Sequence, residues 1–130
     1  MTVVVDSSAF LAVLLKEPDE GLFRAFFAET ESLRMSPVNY WEVMERARVR
    51  LGPSGVADAE RLIEFLDIKI EPLTEEQARA AVVAASRYGK GHPAKLNMGD
   101  CFAYALAKTA GAALLYKGAD FPHTDIASAL

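Results

Sequence analysis

The sequence predicts an α/β protein, a three-layer α/β/α sandwich around a central, mostly parallel sheet. Three observations carry this. Short β-branched or aliphatic runs alternate with longer stretches at helical spacing along the 130 residues. The run Val3-Val4-Val5 is unbroken rather than alternating, as expected of a strand buried on both faces. No internal repeat, linker or low-complexity segment interrupts the alternation. The length implies a single domain over residues 1–130.

The elements follow in order. Residues 2–6 read as the first strand. Residues 8–15 read as a helix ending near Lys16, with Ser7 or Ser8 as the N-cap. Pro18 opens a second helix, Asp19 to Ala28, with Leu22, Phe23, Phe26 and Phe27 at helical spacing. Leu33 to Ser36 is the second strand. Ser36-Pro37 is a start signal, a hydroxyl cap followed by proline at the first helical position. The helix it starts runs to about Leu51 on an apolar stripe of Tyr40, Met44, Ala47 and Leu51. Gly52-Pro53-Ser54-Gly55 breaks the chain.

A helix from Val56 to Asp67 follows, with Leu62, Ile63 and Leu66 inward. Ile68-Lys69-Ile70 is the third strand. Thr74-Glu75-Glu76-Gln77 is a capping box that starts an alanine-rich helix to about Tyr88. After the loop Gly89 to Leu96, Asn97 caps a helix over Asp100 to Ala110, and Gly111 stops it in a left-handed cap. Ala113 to Tyr116 is the fourth strand. Lys117 to Phe121 is the loop beyond it, and Ile126 to Leu130 is a short last strand.

Composition sets the outer bounds. The chain is 52% hydrophobic and 25% charged, which is ordinary for a globular protein. A domain of this size buries about two-thirds of its unfolded surface and needs no staples. The single cysteine, Cys101, allows no internal disulfide framework and suits a reducing cytosol. No positively charged leader precedes the first strand, so no secretory signal is expected. Lys108 breaks the most promising apolar run, so no membrane span is expected and the location is read as cytoplasmic. A net charge of −4 argues against general nucleic-acid binding, which usually shows a basic footprint. That objection weakens if two divalent cations neutralise four of the acids.

Four acids stand at equivalent places. Asp6 and Asp120 follow strands. Glu42 lies early in a helix after a strand, and Asp100 is in the first turn of a helix. In a parallel sheet, strand C-termini and helix N-termini gather along one edge, where ligands bind. Like charges converging at ~4 Å and an effective dielectric of about 20 repel by roughly 4 kcal/mol per pair. Hard divalent cations such as Mg²⁺ or Mn²⁺, with their preference for oxygen ligands, remove that cost. The chemistry that follows is metal-dependent phosphodiester hydrolysis. For Asp6 alone, a carboxylate held by backbone N–H groups at a strand-to-helix turn is an equal alternative.

The chain resembles the PIN-domain ribonucleases, and within them the VapC-type toxins of type II toxin–antitoxin modules. The resemblance lies in Val5-Asp6-Ser7-Ser8-Ala9, in Glu42, in the run Leu96-Asn97-Met98-Gly99-Asp100-Cys101-Phe102-Ala103-Tyr104-Ala105, and in Leu114 to Phe121 with Thr124-Asp125-Ile126. It spans essentially the whole chain in the family's order. It implies a PIN-like fold, Mg²⁺ or Mn²⁺ at the acids, cleavage of single-stranded or loop RNA, a homodimer, and neutralisation by a VapB-type antitoxin. Carried over by position, Asp6 and Asp100 are direct metal ligands. Glu42 and Asp120 act directly, through water or on a second metal. Ser8 orients the first aspartate or a bound water. Ala119 departs from the polar or acidic residue common in relatives, which weakens a two-metal reading.

Competing readings stay open. Glu45 competes with Glu42, and Asp125 competes with Asp120 although it reads as a turn residue. Cys101, beside Asp100 at a helix N-terminus, lacks a histidine or asparagine partner and reads as a small buried side chain. His92 and His123 sit beside prolines without metal-ligand spacing. His92, Lys90 and Lys95 are either phosphate contacts or a solvated turn. Arg46 and Arg50 line an RNA groove, receive an inhibitor's acids, or form an ordinary charged face. Lys117 is placed near the scissile phosphate. Leu22, Phe23, Phe26 and Phe27 are either core or partner-facing, and in the second case Phe23, Phe26 and Phe27 form a partner groove with Trp41.

Receiver domains and aspartate-nucleophile phosphatases fit poorly. Ser7 and Ser8 stand where the second acid is needed, and Ile68 to Glu71 carries no phosphorylatable aspartate. The alternative outside the enzymes is a catalytically silent PIN-fold binding module.

Overall fold

The N-terminal valine run folds as β1, Thr2–Val5, and its three valines are completely buried. The structure, a computed structural model, describes residues 1–130. Three further strands join β1: β2 (Ser32–Met35), β3 (Ile68–Ile70) and β4 (Ala113–Leu115). Every pairing is parallel, and the order across the sheet is β3-β2-β1-β4. In register, Val4 lies beside Arg34 on one side and Leu114 on the other.

Six helices cover both faces: α1 (Ser7–Leu14), α2 (Glu20–Glu29), α3 (Pro37–Leu51), α4 (Pro53–Phe65), α5 (Glu75–Tyr88) and α6 (Met98–Ala110). Successive side chains of a strand point to opposite faces. Val3, Val5, Leu33, Met35 and Leu115 accordingly pack with Phe10, Phe27, Val43 and Ile63 from the first four helices. Val4 and Leu114 pack with Ala84, Tyr104 and Leu106 from α5 and α6. Each fully buried side chain of the Val, Leu or Phe type contributes about 1.5–3 kcal/mol. The doubly buried β1 therefore anchors the predicted three-layer sandwich.

The strand order places the topological switch beside β1. The chain leaves β1 toward β2 and β3, then returns to add β4 on the other side. The crevice above the C-termini of β1 and β4 is where such sheets bind ligands.

Several local expectations are corrected. Asp6, rather than Ser7 or Ser8, is the N-cap of α1, with its carboxylate accepting the Ser8 N–H. The carboxylate is the better acceptor for that orphan donor. The break after α3 shrinks to Gly52, because Pro53 is tolerated at the first helical position and α4 starts there instead of at Val56. The apolar stripe of α3 is rotated: Asn39, Val43 and Ala47 are buried, Tyr40 and Met44 only half so, and Leu51 is exposed.

Thr74 does cap α5, but Gln77 turns its amide to the Pro72 carbonyl, so only half of the capping box forms. The last strand reduces to one bridge, Leu114 to Ser128. Phe23 and Phe27 are core residues, not groove residues, because α2 lays them against the sheet. Other signals hold: Ser36 caps α3 through the Val38 N–H, and Gly111 closes α6 at φ +63°. No helix is long and apolar enough to cross a membrane.

Candidate metal-binding active site

Asp6 ends β1 and begins α1. Its N–H donates to the Leu115 carbonyl at 2.9 Å, which fixes the strand end against β4. Its side chain is only 3% exposed. Oδ2 accepts the Ser8 N–H at 3.0 Å and the Ser8 hydroxyl. Oδ1 has no partner in the protein. Burial pushes the carboxyl from about 3.8 up to about 7, opposed by the Ser8 hydroxyl and aided by repulsion from Asp100 and Glu42.

Glu42 projects from the second turn of α3. Its Oε1 accepts the Ser7 hydroxyl at 2.6 Å and the Asn39 amide at 2.8 Å. Its carboxylate lies against Gly99: a Cβ on that glycine would stand 2.0 Å from Glu42 Oε2.

Asp100 is the third residue of α6. It and Asn97 form a reciprocal capping box, with the Asp100 N–H on Asn97 Oδ1 at 2.9 Å and the Asn97 N–H on Asp100 Oδ2 at 3.1 Å. Burial raises its pKa, the Asn97 N–H opposes the rise, and the charges of Glu42 and Asp120 add to it. Asp120 is half-buried in the loop past β4, just before a 3-10 turn over Phe121–His123. These mutual effects place Asp6, Glu42, Asp100 and Asp120 in one electrostatic cluster at the C-terminal edge of the sheet.

The donor chemistry fits a hard divalent cation. All four groups offer carboxylate oxygens. The unpartnered buried Oδ1 of Asp6 and the raised pKa values of Asp6 and Asp100 are conditions a cation relieves. As the side chains stand, no three His, Cys, Asp or Glu residues form a ready-made metal cage. Glu42 is held through Oε1 and Asp100 through Oδ2, so each keeps its second carboxylate oxygen for an ion.

The competing residues go elsewhere. Glu45 pairs with Arg48 on α3. Asp125 takes the Tyr104 hydroxyl at 2.5 Å and Lys108 at 2.9 Å. Burial and the Asp100 charge raise the Cys101 thiol, which disfavours a thiolate. His92 accepts the Ala94 N–H at 3.0 Å and packs edge-on against Tyr88, so it organises its own turn. His123, Lys90 and Lys95 are exposed. Lys117 is not directed at the acids. Its Nζ pairs with Glu17 at 2.9 Å and Asp19 at 3.0 Å, because those two charges flank it at the start of α2.

Arg46 lines an open groove beside Glu42, together with Ser7, Leu11, Trp41, Glu45 and Val49. Arg50 is on the exposed face of α3. Sequence reasoning missed Ser7, Asn39 and Gly99. The spacing of Asn39 three residues before Glu42, on one helix face, was the available signal.

The PIN domain family model matches residues 3–127. The chain is 40% identical over 127 residues to ribonuclease VapC30 of Mycobacterium tuberculosis, covering 97% of each chain. It is 39% identical over 127 residues to ribonuclease VapC of Mycolicibacterium smegmatis, covering 97% of this chain and 98% of the relative. Among solved structures it superposes on Mycobacterium tuberculosis VapC20, described as a sarcin-ricin loop cleaving toxin. That match has a TM-score of 0.80 at 15% identity over 96% of each chain. VapBC-1 from nontypeable Haemophilus influenzae gives 0.73 at 19% identity, over 98% of this chain and 96% of that one. At such identities the two structures establish the fold, while the curated relatives establish the lineage. The chain belongs to the PIN-domain family, in its VapC ribonuclease branch.

Proposed function

We propose that this chain, as one PIN-like domain over residues 1–130, is a Mg²⁺- or Mn²⁺-dependent endoribonuclease toxin. It cleaves single-stranded or loop RNA. The observation that carries this is Asp6: a buried carboxyl at the switch point, with one oxygen held and the other unpartnered, in the field of Glu42 and Asp100. Asp6 and Asp100 would hold the cation, with Glu42 and Asp120 completing the set. When bound, the ion lowers the pKa of a water, orients the phosphate and stabilises the leaving oxygen. Ser8 keeps Asp6 Oδ2 in place, so that Oδ1 stays available. The Asn97 cap holds Asp100 at the start of α6.

The named ribonuclease activity of relatives at 40% and 39% identity supports the reaction class. The solved VapBC assemblies from Haemophilus influenzae and Rickettsia felis support a VapB-type antitoxin as partner. The groove of Leu11, Trp41 and Val49, ending at Glu42, suits an amphipathic antitoxin helix. A homodimer completes the assembly. One buried, unpaired cysteine is consistent with a cytoplasmic site of action.

A second reading has a specific observation behind it. Glu42 and Asp100 are already hydrogen-bonded, as they would be in a catalytically silent PIN-fold binding module. The deciding experiment incubates the purified chain with unstructured and hairpin RNAs under Mg²⁺, Mn²⁺ or EDTA, beside Asp6→Asn and Asp100→Asn. Cleavage that requires metal and disappears in both variants supports the nuclease. Metal binding without cleavage of any RNA supports the silent module. Cleavage that survives both substitutions overturns the carboxylate mechanism.

A further inference from the structure

Asn39 is completely buried, yet its amide serves the rim of the acidic cluster rather than the core. Nδ2 donates to Glu42 Oε1 at 2.8 Å and to the Gly99 carbonyl at 3.1 Å, and lies 3.1 Å from Ser7 Oγ. An amide nitrogen has two protons, which match the carboxylate and the carbonyl. Ser7 supplies its own proton to the same Glu42 oxygen at 2.6 Å. Gly99 forms the opposite wall, since a Cβ there would stand 2.0 Å from Oε2 and 2.3 Å from Cδ of Glu42. The carboxylate therefore occupies a seat with two donors on one side and a missing side chain on the other.

A purely structural role explains Asn39 poorly. Its Oδ1 is buried without a partner, a cost that an apolar residue on this helix face would not carry. We propose that Asn39 is the positioning residue for Glu42: its amide aims the carboxylate and ties α3 to the first turn of α6, which carries Asp100. Ser7 and Gly99 complete the same seat. The inference rests on the metal-dependent nuclease reading and adds the residues that set the geometry of one carboxylate.

The test is a double-mutant cycle on Asn39→Ala and Glu42→Gln. It is read as the Mn²⁺ dissociation constant by calorimetry and as kcat and KM for RNA cleavage. Supporting partners behind a metal ligand typically contribute 10–100-fold to affinity or activity. Asn39→Ala is expected to weaken Mn²⁺ binding by about 10–100-fold and to lower kcat more than it raises KM. In the Glu42→Gln background it is expected to add nothing, the non-additivity of residues acting through one group.

Gly99→Ala gives a second route that keeps the fold, because alanine is the better helix former and the Glu42 side chain can swing away. It is expected to reproduce the loss and to be silent on Glu42→Gln; if Asn39→Ala fails to fold, Gly99→Ala carries the cycle. Parent-like Mn²⁺ binding in either folded variant, or an equal loss with and without Glu42, overturns the inference. A parent chain that neither binds Mn²⁺ nor cleaves RNA overturns the nuclease reading, and the inference with it. That outcome is read on the unmutated chain, separately from the cycle.

Discussion

The backbone N–H of Lys117 donates to the Ser8 hydroxyl at 2.9 Å, so the segment leaving β4 is fastened to the first turn of α1. The same hydroxyl donates to Asp6 Oδ2. One serine thus ties the exit of β4 to α1 and holds the Asp6 carboxylate. Removing it strands the Lys117 N–H and strips Asp6 of a donor. Ser8→Ala is expected to lower stability by about 1–3 kcal/mol, read from the urea midpoint, and to reduce RNA cleavage. Ser8→Thr keeps the hydroxyl and retains most of both. A Ser8→Ala variant with parent stability and parent activity would contradict this role.

Burial makes Asp6 a pH sensor in the metal-free protein. Its folded pKa is raised, so the folded state binds the proton more tightly than the unfolded chain. The stability linked to that proton is complete below the unfolded value near 3.8 and is lost as pH rises to about 7. Asp100 shifts in the same direction. Melting in EDTA across this window is expected to show the parent losing stability toward neutral pH relative to Asp6→Asn. Parallel curves for the two proteins would remove Asp6 as the cause. Added Mn²⁺ is expected to stabilise the parent more at pH 8 than at pH 5, because binding must displace the proton.

The loop that carries Asp120 is clamped from behind. Tyr104, buried on α6, donates to Asp125, which also pairs with Lys108. Burial first, then the Asp125 bond, hold the Tyr104 phenol well above 10. The hydroxyl and Lys108 in turn hold the Asp125 carboxyl below its usual range. Tyr104→Phe is expected to cost about 1–2 kcal/mol and to speed hydrogen exchange over residues 117–125. Unchanged exchange there would show that the loop is held by Phe121 and the Leu114–Ser128 bridge instead.

The aromatic residues of the early helices divide into two roles. Phe27 is core, so Phe27→Ala is expected to cost about 3–5 kcal/mol. Trp41 is 62% exposed, so Trp41→Ala is expected to change stability by no more than about 0.5 kcal/mol. If the groove beside it seats the antitoxin helix, the same substitution weakens capture of the cognate antitoxin measured by calorimetry. Wild-type antitoxin affinity in Trp41→Ala would move the partner surface elsewhere.

The strand–helix alternation was legible because β1 is buried on both faces and because Ser36, Asn97 and Gly111 carry strong local signals. Apolar pattern alone misjudged α3, where Asn39 takes a buried position that hydrophobicity assigns to the exposed side. It also left Phe23 and Phe27 between core and partner surface, since helical spacing identifies a face without saying what covers it; the sheet covers both. The four candidate acids stand out in the sequence by their places after strands and early in helices. Their supports do not. The seat of Glu42 depends on Gly99, which lies on another helix far later in the chain, and only folding brings the two together. The ion pairing of Lys117 likewise depends on Glu17 and Asp19, about a hundred residues away in sequence.

The most direct measurement is a calorimetric Mn²⁺ titration of the metal-free parent beside Asp6→Asn and Asp100→Asn, with folding verified by circular dichroism. The account predicts saturable binding with proton release near neutral pH in the parent, and its loss in both folded variants. Binding of equal strength in all three proteins, or none in the parent, would contradict the assignment of this carboxylate cluster as the metal site.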